Sequence, residues 1–268
     1  VAVLVFDLPF AVQFVAGVDA AEEPDAVRFG PQRTVTFAIT VPKFAAEFIA
    51  RAGIGTMTIV DGDVVDPTNR NRQLPALATN HGVAKVKIMA ERLMAINPDL
   101  VLHAHETFLS PDAAKEILET TRFDYVMDCI DSVTPKLTLL KTAYDLSLKT
   151  VSSMGAGGKM DPTKLRTTDL LDTRECYLAA LVRKRIRRLG VGRGIKAVFS
   201  LEKVRDESLI LTDGSNFKKS AYGTISYLPA AFGGACASVV IRDILDEEIP
   251  MEKRLKAHMN LGRKSKKQ

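Results

Sequence analysis

Tryptophan is absent from this 268-residue chain, aromatic residues make up only 6% of it, and cysteine occurs three times. Cys129, Cys176 and Cys236 stand far apart and form no C-x-x-C pair. That spacing excludes a paired-cysteine zinc site and a disulfide scaffold, and it fits a reducing compartment, with the cytoplasm the simplest location. His81, His103, His105 and His258 show no ligand spacing with cysteine or acid. Early positive charge is lacking as well. Residues 1–18 are mostly apolar, include Asp7 and precede the first basic residue, Arg28, so neither a secretory signal nor a transit peptide fits. Membrane association through this run stays open, although it is barely long enough to cross a bilayer. No internal repeat or low-complexity linker divides the chain, so one domain is expected.

Apolar residues supply 46% of the chain and charged residues 26%, the balance of a globular protein large enough to bury a core. Two stretches lack acid altogether. Residues 181–201 carry Arg183, Lys184, Arg185, Arg187, Arg188, Arg193 and Lys196, and residues 253–267 carry seven more basic residues. Clusters of this kind suit a phosphate-rich partner, or else form a solvated helix face and a solubilising tail.

From Thr34 onward, short β-rich runs alternate with helical patterns, which predicts an α/β fold with a mostly parallel sheet. Helices are expected over residues 44–52, 83–97, 112–119, 134–147, 176–189 and 230–245. Strands are expected over 56–60, 100–105, 125–128, 150–153 and 197–204. Within 83–97, Val83, Val86, Ala90 and Leu93 share one stripe.

The chemistry concentrates in Asp61-Gly-Asp63-Val-Val-Asp66-Pro-Thr-Asn69-Arg70-Asn71-Arg72-Gln73. An acid at the end of the second strand of a dinucleotide-type fold is placed to accept ribose hydroxyls, and Asp61 sits there. Asn69, Asn71 and Arg72 bring amides and a planar guanidinium that suits phosphate oxygens. Lys85 follows at a helix start, where an ammonium and a helix N-terminus could face the same anion. After the strand at 125–128 comes Asp128-Cys129-Ile130-Asp131-Ser132, which puts the Asp131 carboxylate on the same rim as a Mg²⁺ ligand for a bound triphosphate.

In order, these segments resemble the E1-like adenylating enzymes, the group containing activators of ubiquitin-like and sulfur-carrier proteins. Arg51-Ala-Gly-Ile-Gly, residues 61–73, Lys85 with Ile96-Asn97-Pro98, and residues 128–132 carry the likeness. It implies a Rossmann-like, doubly wound sheet with helices on both faces. It also implies that Asp61, Asp63 and Gln73 help bind nucleotide, that Asn71, Arg72 and Lys85 hold phosphates, and that Asp131 holds Mg²⁺. Gly155-Ala-Gly-Gly158-Lys-Met-Asp161-Pro162, Thr168-Asp169-Leu170 and Gly223-Thr-Ile-Ser-Tyr-Leu-Pro229 look like the branch of tRNA threonylcarbamoyladenosine dehydratases, closest to its eukaryotic members. That branch uses ATP to adenylate the threonine carboxylate of a modified adenosine next to the anticodon, and attack within the same side chain then closes a ring. The resemblance implies ATP and Mg²⁺ as cofactors, tRNA as partner through Arg183, Lys184, Arg185, Arg187, Arg188 and Arg193, and a homodimer. The location would be the cytoplasm or, as in fungal members, the mitochondrial outer membrane. Three other readings stand beside it: an activator of a ubiquitin-like or sulfur-carrier protein, a non-catalytic RNA-binding pseudoenzyme and, more distantly, a nicotinamide dehydrogenase.

One departure sets this chain apart. Members of the group carry a turn of the form G-x-G-G-x-G-S between the first strand and first helix, whereas here the slot reads Phe37-Ala-Ile-Thr-Val-Pro42-Lys43. Bulky residues there oppose the close backbone approach to phosphate that glycine permits, and Pro42 lacks an N–H donor. The likeness begins abruptly near Ala45, so a reading-frame or gene-model error upstream is expected. Residues 1–33 are taken as a divergent segment, misjoined or disordered, 34–250 as the adenylating domain, and 251–268 as a basic tail.

Overall fold

The computed structural model describes residues 34–38, 43–211 and 220–252. Residues 1–33, the altered slot at 39–42 and the basic stretch from 253 onward lie outside them. The elements run β1 (Thr34–Ala38), α1 (Lys43–Arg51), β2 (Thr56–Val60), α2 (Lys85–Ile96), β3 (Val101–His105), α3 (Pro111–Thr120), β4 (Tyr125–Asp128) and α4 (Val133–Asp145). They continue through β5 (Lys149–Ser153), β6 (Leu165–Asp169), α5 (Tyr177–Arg188), β7 (Lys196–Ser200), β8 (Leu209–Leu211), β9 (Ser220–Tyr222) and α6 (Leu228–Ile244).

The main sheet is ordered β3-β2-β1-β4-β5-β7-β6. All neighbours are parallel except β6, which runs antiparallel to β7 at one edge. The chain builds outward from β1 through β2 to β3, then returns to the other side of β1 for β4. The order therefore reverses between β1 and β4, and such a reversal opens a crevice at the carboxyl ends of the strands.

Side chains alternate across a strand, and both faces here are covered. Met57, Ile59, Tyr125, Met127, Val151 and Val198 pack with α1, α2 and α6. On the other face, Val126 joins α3 and α4, while Ala197 and Phe199 join α4 and α5. This is the doubly wound α/β arrangement expected from the sequence. Helices α1 and α6 touch closely: a Cβ on Gly233 would stand 2.9 Å from the Phe44 Cβ. Glu47 ties α1 to α2 by accepting from Arg92 at 2.6 Å while also pairing with Arg51 at 2.7 Å. At the opposite end of the sheet from the crevice, Asp243 of α6 accepts from the Tyr125 hydroxyl at 2.9 Å and pairs with Lys196 at 2.6 Å.

Several expectations need correction. Val83 is exposed and precedes α2, which starts at Lys85, so the buried stripe is Val86, Met89 and Leu93. Strand β3, expected over 100–105, runs Val101–His105 at the sheet edge with four of its five residues exposed. Strand β7 stops at Ser200 rather than 204, since Glu202 turns its carboxylate to the backbone N–H groups of Met160 and Asp161. Cys129 follows β4, and all three cysteines are buried and outside any disulfide.

Candidate active site

Strands β2 and β4 flank β1, so their carboxyl ends open on one edge about 10 Å apart. Asp61 follows β2 directly. Its Oδ1 accepts the Asp63 backbone N–H at 2.9 Å, and its Oδ2 pairs with the ammonium of Lys43, the first residue of α1, at 2.6 Å. Both side chains are buried. Burial lowers the Lys43 amine to about 8, against the counter-pull of Asp61, and burial likewise raises Asp61 above the ordinary carboxylate range. Gly62 is required at this turn because a Cβ there would lie 2.6 Å from the Phe108 backbone nitrogen.

The pKa of Lys43 carries a testable consequence. Its folded value of about 8 lies below the 10.5 of an exposed lysine. Between those values the unfolded chain binds more protons than the folded one, so unfolding free energy rises as pH climbs through that window. Lys43 should contribute on the order of 3 kcal/mol to that rise, and the rise should be smaller by that amount in Lys43→Met. Urea unfolding at about pH 7 and about pH 10 measures it, and parallel behaviour of the two proteins would refute the assignment.

Lys85 opens α2 with its side chain buried, and the anion it meets is Asp63, at 3.1 Å. Its backbone N–H donates to the Asp63 carbonyl at 2.9 Å. A phosphate at this helix start would therefore share Lys85 with Asp63. Asn69 serves the local turn: its Oδ1 accepts from the Asp66 N–H at 3.2 Å, completing a reciprocal cap with the Asp66 side chain. Arg72 and Asn71 hold each other at 2.9 Å, Arg72 also donates to the Thr68 carbonyl at 2.9 Å, and Asn71 reaches the Thr224 carbonyl at 3.2 Å. The segment after β9 is thereby linked to the rim after β2. Gln73 Oε1 is buried and accepts no hydrogen bond from the described residues. A buried acceptor with no partner among the described residues fits a ligand that brings its own donor.

Asp131 lies exposed beyond β4. The loop that carries it is held from below. Lys136 of α4 and Asp128 are both fully buried and 2.7 Å apart, and Lys136 also donates to the carbonyls of Ile130 at 3.0 Å and Ser153 at 2.9 Å. A hard cation takes oxygen ligands from one or two carboxylates plus phosphate, so Asp131 has the chemistry to hold Mg²⁺ against a triphosphate.

The loop after β5 packs rather than cradles. A Cβ on Gly157 would stand 2.7 Å from the Tyr222 Cβ, and Gly158 has φ +73°. Next to it, the buried Lys159 ammonium donates to three main-chain carbonyls, of Glu175 and Ser200 at 3.0 Å and Glu202 at 2.7 Å. Burial holds its pKa below the ordinary lysine value. On α5 the basic residues divide. Arg193, beyond the helix, is bidentate to Asp172 at 2.7 and 2.9 Å. Arg183 donates to Thr173 at 2.7 Å and Arg187 to the Leu171 carbonyl at 3.3 Å. Lys184, Arg185 and Arg188 are exposed. Lys43, Lys136 and Lys159 were not singled out from the sequence. Each is a lysine whose partner lies on a different element, and pairing of that kind leaves no local pattern.

A doubly wound sheet whose order reverses between β1 and β4, with Asp61 directly after β2 and Asp131 just after β4, defines an α/β protein of the class that takes ligands at the carboxyl ends of its strands. The chain belongs to the ThiF family, whose model matches residues 43–266. It is similar to tRNA threonylcarbamoyladenosine dehydratase of Escherichia coli, 40% identical over 169 residues that cover 60% of this chain and 63% of that one. The Bacillus subtilis protein of the same name is 34% identical over 216 residues, covering 77% of this chain and 84% of that one. Among solved structures, the E. coli tRNA N6-threonylcarbamoyladenosine dehydratase in complex with ATP superposes with a TM-score of 0.72 at 33% identity, covering 81% of this chain and 87% of that chain. These likenesses bear out the family expected from the sequence and its dehydratase branch.

Proposed function

We propose that this chain is an ATP-dependent tRNA threonylcarbamoyladenosine dehydratase. The observation that supports the reading is the strand order, in which the segment after β4 that carries Asp131 and the segment after β2 that carries Arg72 and Lys85 leave the sheet on either side of β1 at its carboxyl edge. The likeness to a dehydratase structure holding ATP supports it. In this reading Arg72 and Lys85 spread the negative charge of the phosphates, and Gln73 Oε1 accepts a donor from the nucleotide. Mg²⁺, held by Asp131, would supply charge neutralisation at the triphosphate. The threonyl carboxylate attacks the α-phosphorus and pyrophosphate leaves. A nucleophile of the same side chain then attacks the activated carbonyl, losing a proton as AMP departs, so the RNA is lighter by one water. No enzyme nucleophile is required, which agrees with three buried cysteines. An activator of a carrier protein that needs a thiol acceptor fits those cysteines less well.

A homodimer in a reducing compartment belongs to the same proposal, with the cytoplasm favoured by the free cysteines over the mitochondrial outer membrane. Among the described residues no helix is long and apolar enough to cross a membrane. Incubating the chain with ATP, Mg²⁺ and tRNA bearing threonylcarbamoyladenosine should yield AMP, pyrophosphate and cyclised RNA in equal amounts. Unchanged ATP and unchanged RNA would sink the reading. They would instead favour a non-catalytic RNA-binding protein, a second reading that rests on Lys43 occupying the Asp61 carboxylate.

A further inference from the structure

Tyr177 is the most exposed large hydrophobic side chain of the described residues, 71% accessible, and it is the first residue of α5. Hydrophobic exposure of this size at a helix start has no packing purpose, since the buried face of α5 is Ala179, Val182 and Ile186. With 3.6 residues per turn, Tyr177, Lys184 and Arg188 fall on one outward stripe about 16 Å long, with Arg185 on its flank. All four are exposed, α5 contains no acid, and Lys184, Arg185 and Arg188 form no ion pair with any described residue.

The position of this stripe matters more than its charge. The N-terminal end of α5 abuts the loop that leaves β5 on the crevice side: a Cβ on Gly155 would stand 3.6 Å from the Cys176 Sγ and 3.8 Å from the Leu178 Cβ. Lys159 of the same loop donates to the Glu175 carbonyl at 3.0 Å. The residues on both sides of Tyr177 thus pack on the loop at the carboxyl end of β5, the edge on which the crevice opens, and the cations trail away from it along the helix. An aromatic face at the mouth, followed by a row of unpaired cations, matches how single-stranded RNA is held, with a base stacked on the ring and phosphates against the charges.

We propose that Tyr177 is a base-stacking platform at the head of a phosphate track formed by Lys184, Arg185 and Arg188, and that it seats a nucleotide neighbouring the one that enters the crevice. This rests on the tRNA reading above. A globular acidic partner is disfavoured, because a row of cations headed by one flat aromatic ring suits a strand with stackable bases better than a carboxylate surface.

Binding of the full chain to a labelled RNA hairpin with an anticodon-type single-stranded loop, followed by fluorescence anisotropy without ATP, tests the idea. Tyr177→Ala should weaken binding about tenfold with the salt dependence unchanged, and Tyr177→Phe should bind as the original chain does. Lys184→Ala and Arg188→Ala should each weaken binding and lower the slope against log salt by about one. A hairpin with an abasic site beside the adenosine should bind about tenfold less well to the original chain, and Tyr177→Ala should add no further loss. If Tyr177→Ala binds normally while the lysine and arginine variants weaken, stacking is overturned and the tRNA reading stands. If the original chain ignores the hairpin, the tRNA reading fails and takes this inference with it. Hairpin binding that depends on Tyr177, in a chain that forms no AMP, would leave the inference intact and fault the ATP chemistry alone.

Discussion

Replacing Asp131 with alanine should lower AMP formation by about two to three orders of magnitude while leaving the fold intact. The size follows from where charge develops. Losing one preorganised electrostatic group at a reacting phosphate reduces turnover by roughly 10²–10³-fold, and a carboxylate that recruits a divalent ion falls in that class. The unchanged fold follows from exposure. Asp131 stands on the rim while the residues beneath it, Cys129 and Ile130, are buried. Surface changes away from the core stay within about 0.5 kcal/mol. The measurements are the initial rate of AMP release with modified tRNA and the melting curve of the same sample. A rate within a few-fold of the original would remove Asp131 from the chemistry, and a matching fall in melting temperature would reassign it to folding.

Lys136→Met should destabilise the protein by about 3–5 kcal/mol, read as a shift in the urea midpoint at constant slope. Lys136 and Asp128 have no solvent exposure, and their contact of 2.7 Å is the compensation for burying both charges. Asp128 also accepts from the Ile130 N–H and the Ser152 hydroxyl, while Lys136 satisfies the carbonyls of Ile130 and Ser153. Methionine keeps the volume but strands a carboxylate and two carbonyls in the interior. The double variant Lys136→Met, Asp128→Asn should recover part of the loss, because the stranded charge is gone. Equal losses in the single and double variants would contradict this account. Because the same ammonium pins the loops after β4 and β5, residual activity of the single variant should fall further than its stability predicts at low temperature.

Much of the fold was legible because it is written in local pattern. The β2 run Thr56–Val60 and the β4 run Tyr125–Asp128 are short, apolar and followed by acids, which is how a strand buried on both faces reads before its carboxyl end. Helix α6 announces itself by an uncharged, mostly apolar run, Leu228–Ile241. Strand β6 escaped notice because Leu165–Asp169 is mostly polar and sits antiparallel at an edge, where neither alternation nor continuous apolarity is demanded. The candidate site was half legible. Asp61 follows β2, Lys85 opens α2 and Asp131 follows β4, as the pattern of elements predicts, but the partners of Asp61 and Lys85 come from how the helices dock. That Lys85 would meet Asp63, or that Lys43 would reach Asp61, depends on how α1 and α2 dock on the sheet. Likewise, Arg183 and Arg193 belong to the basic run by sequence, yet they are anchored to Thr173 and Asp172.

The tight seam between Gly233 and Phe44 has an engineering consequence. Because α6 clamps α1 at backbone distance, the first helix is docked independently of whatever chain leads into it. Ala38 closes β1 and Lys43 opens α1, so the elements on either side of residues 39–42 are both placed. A glycine-rich segment of equal length would keep the number of residues between Ala38 and Lys43, at the cost of the extra backbone entropy each glycine loses on ordering. The exchange becomes a cassette swap, and its success or failure would report on that segment alone.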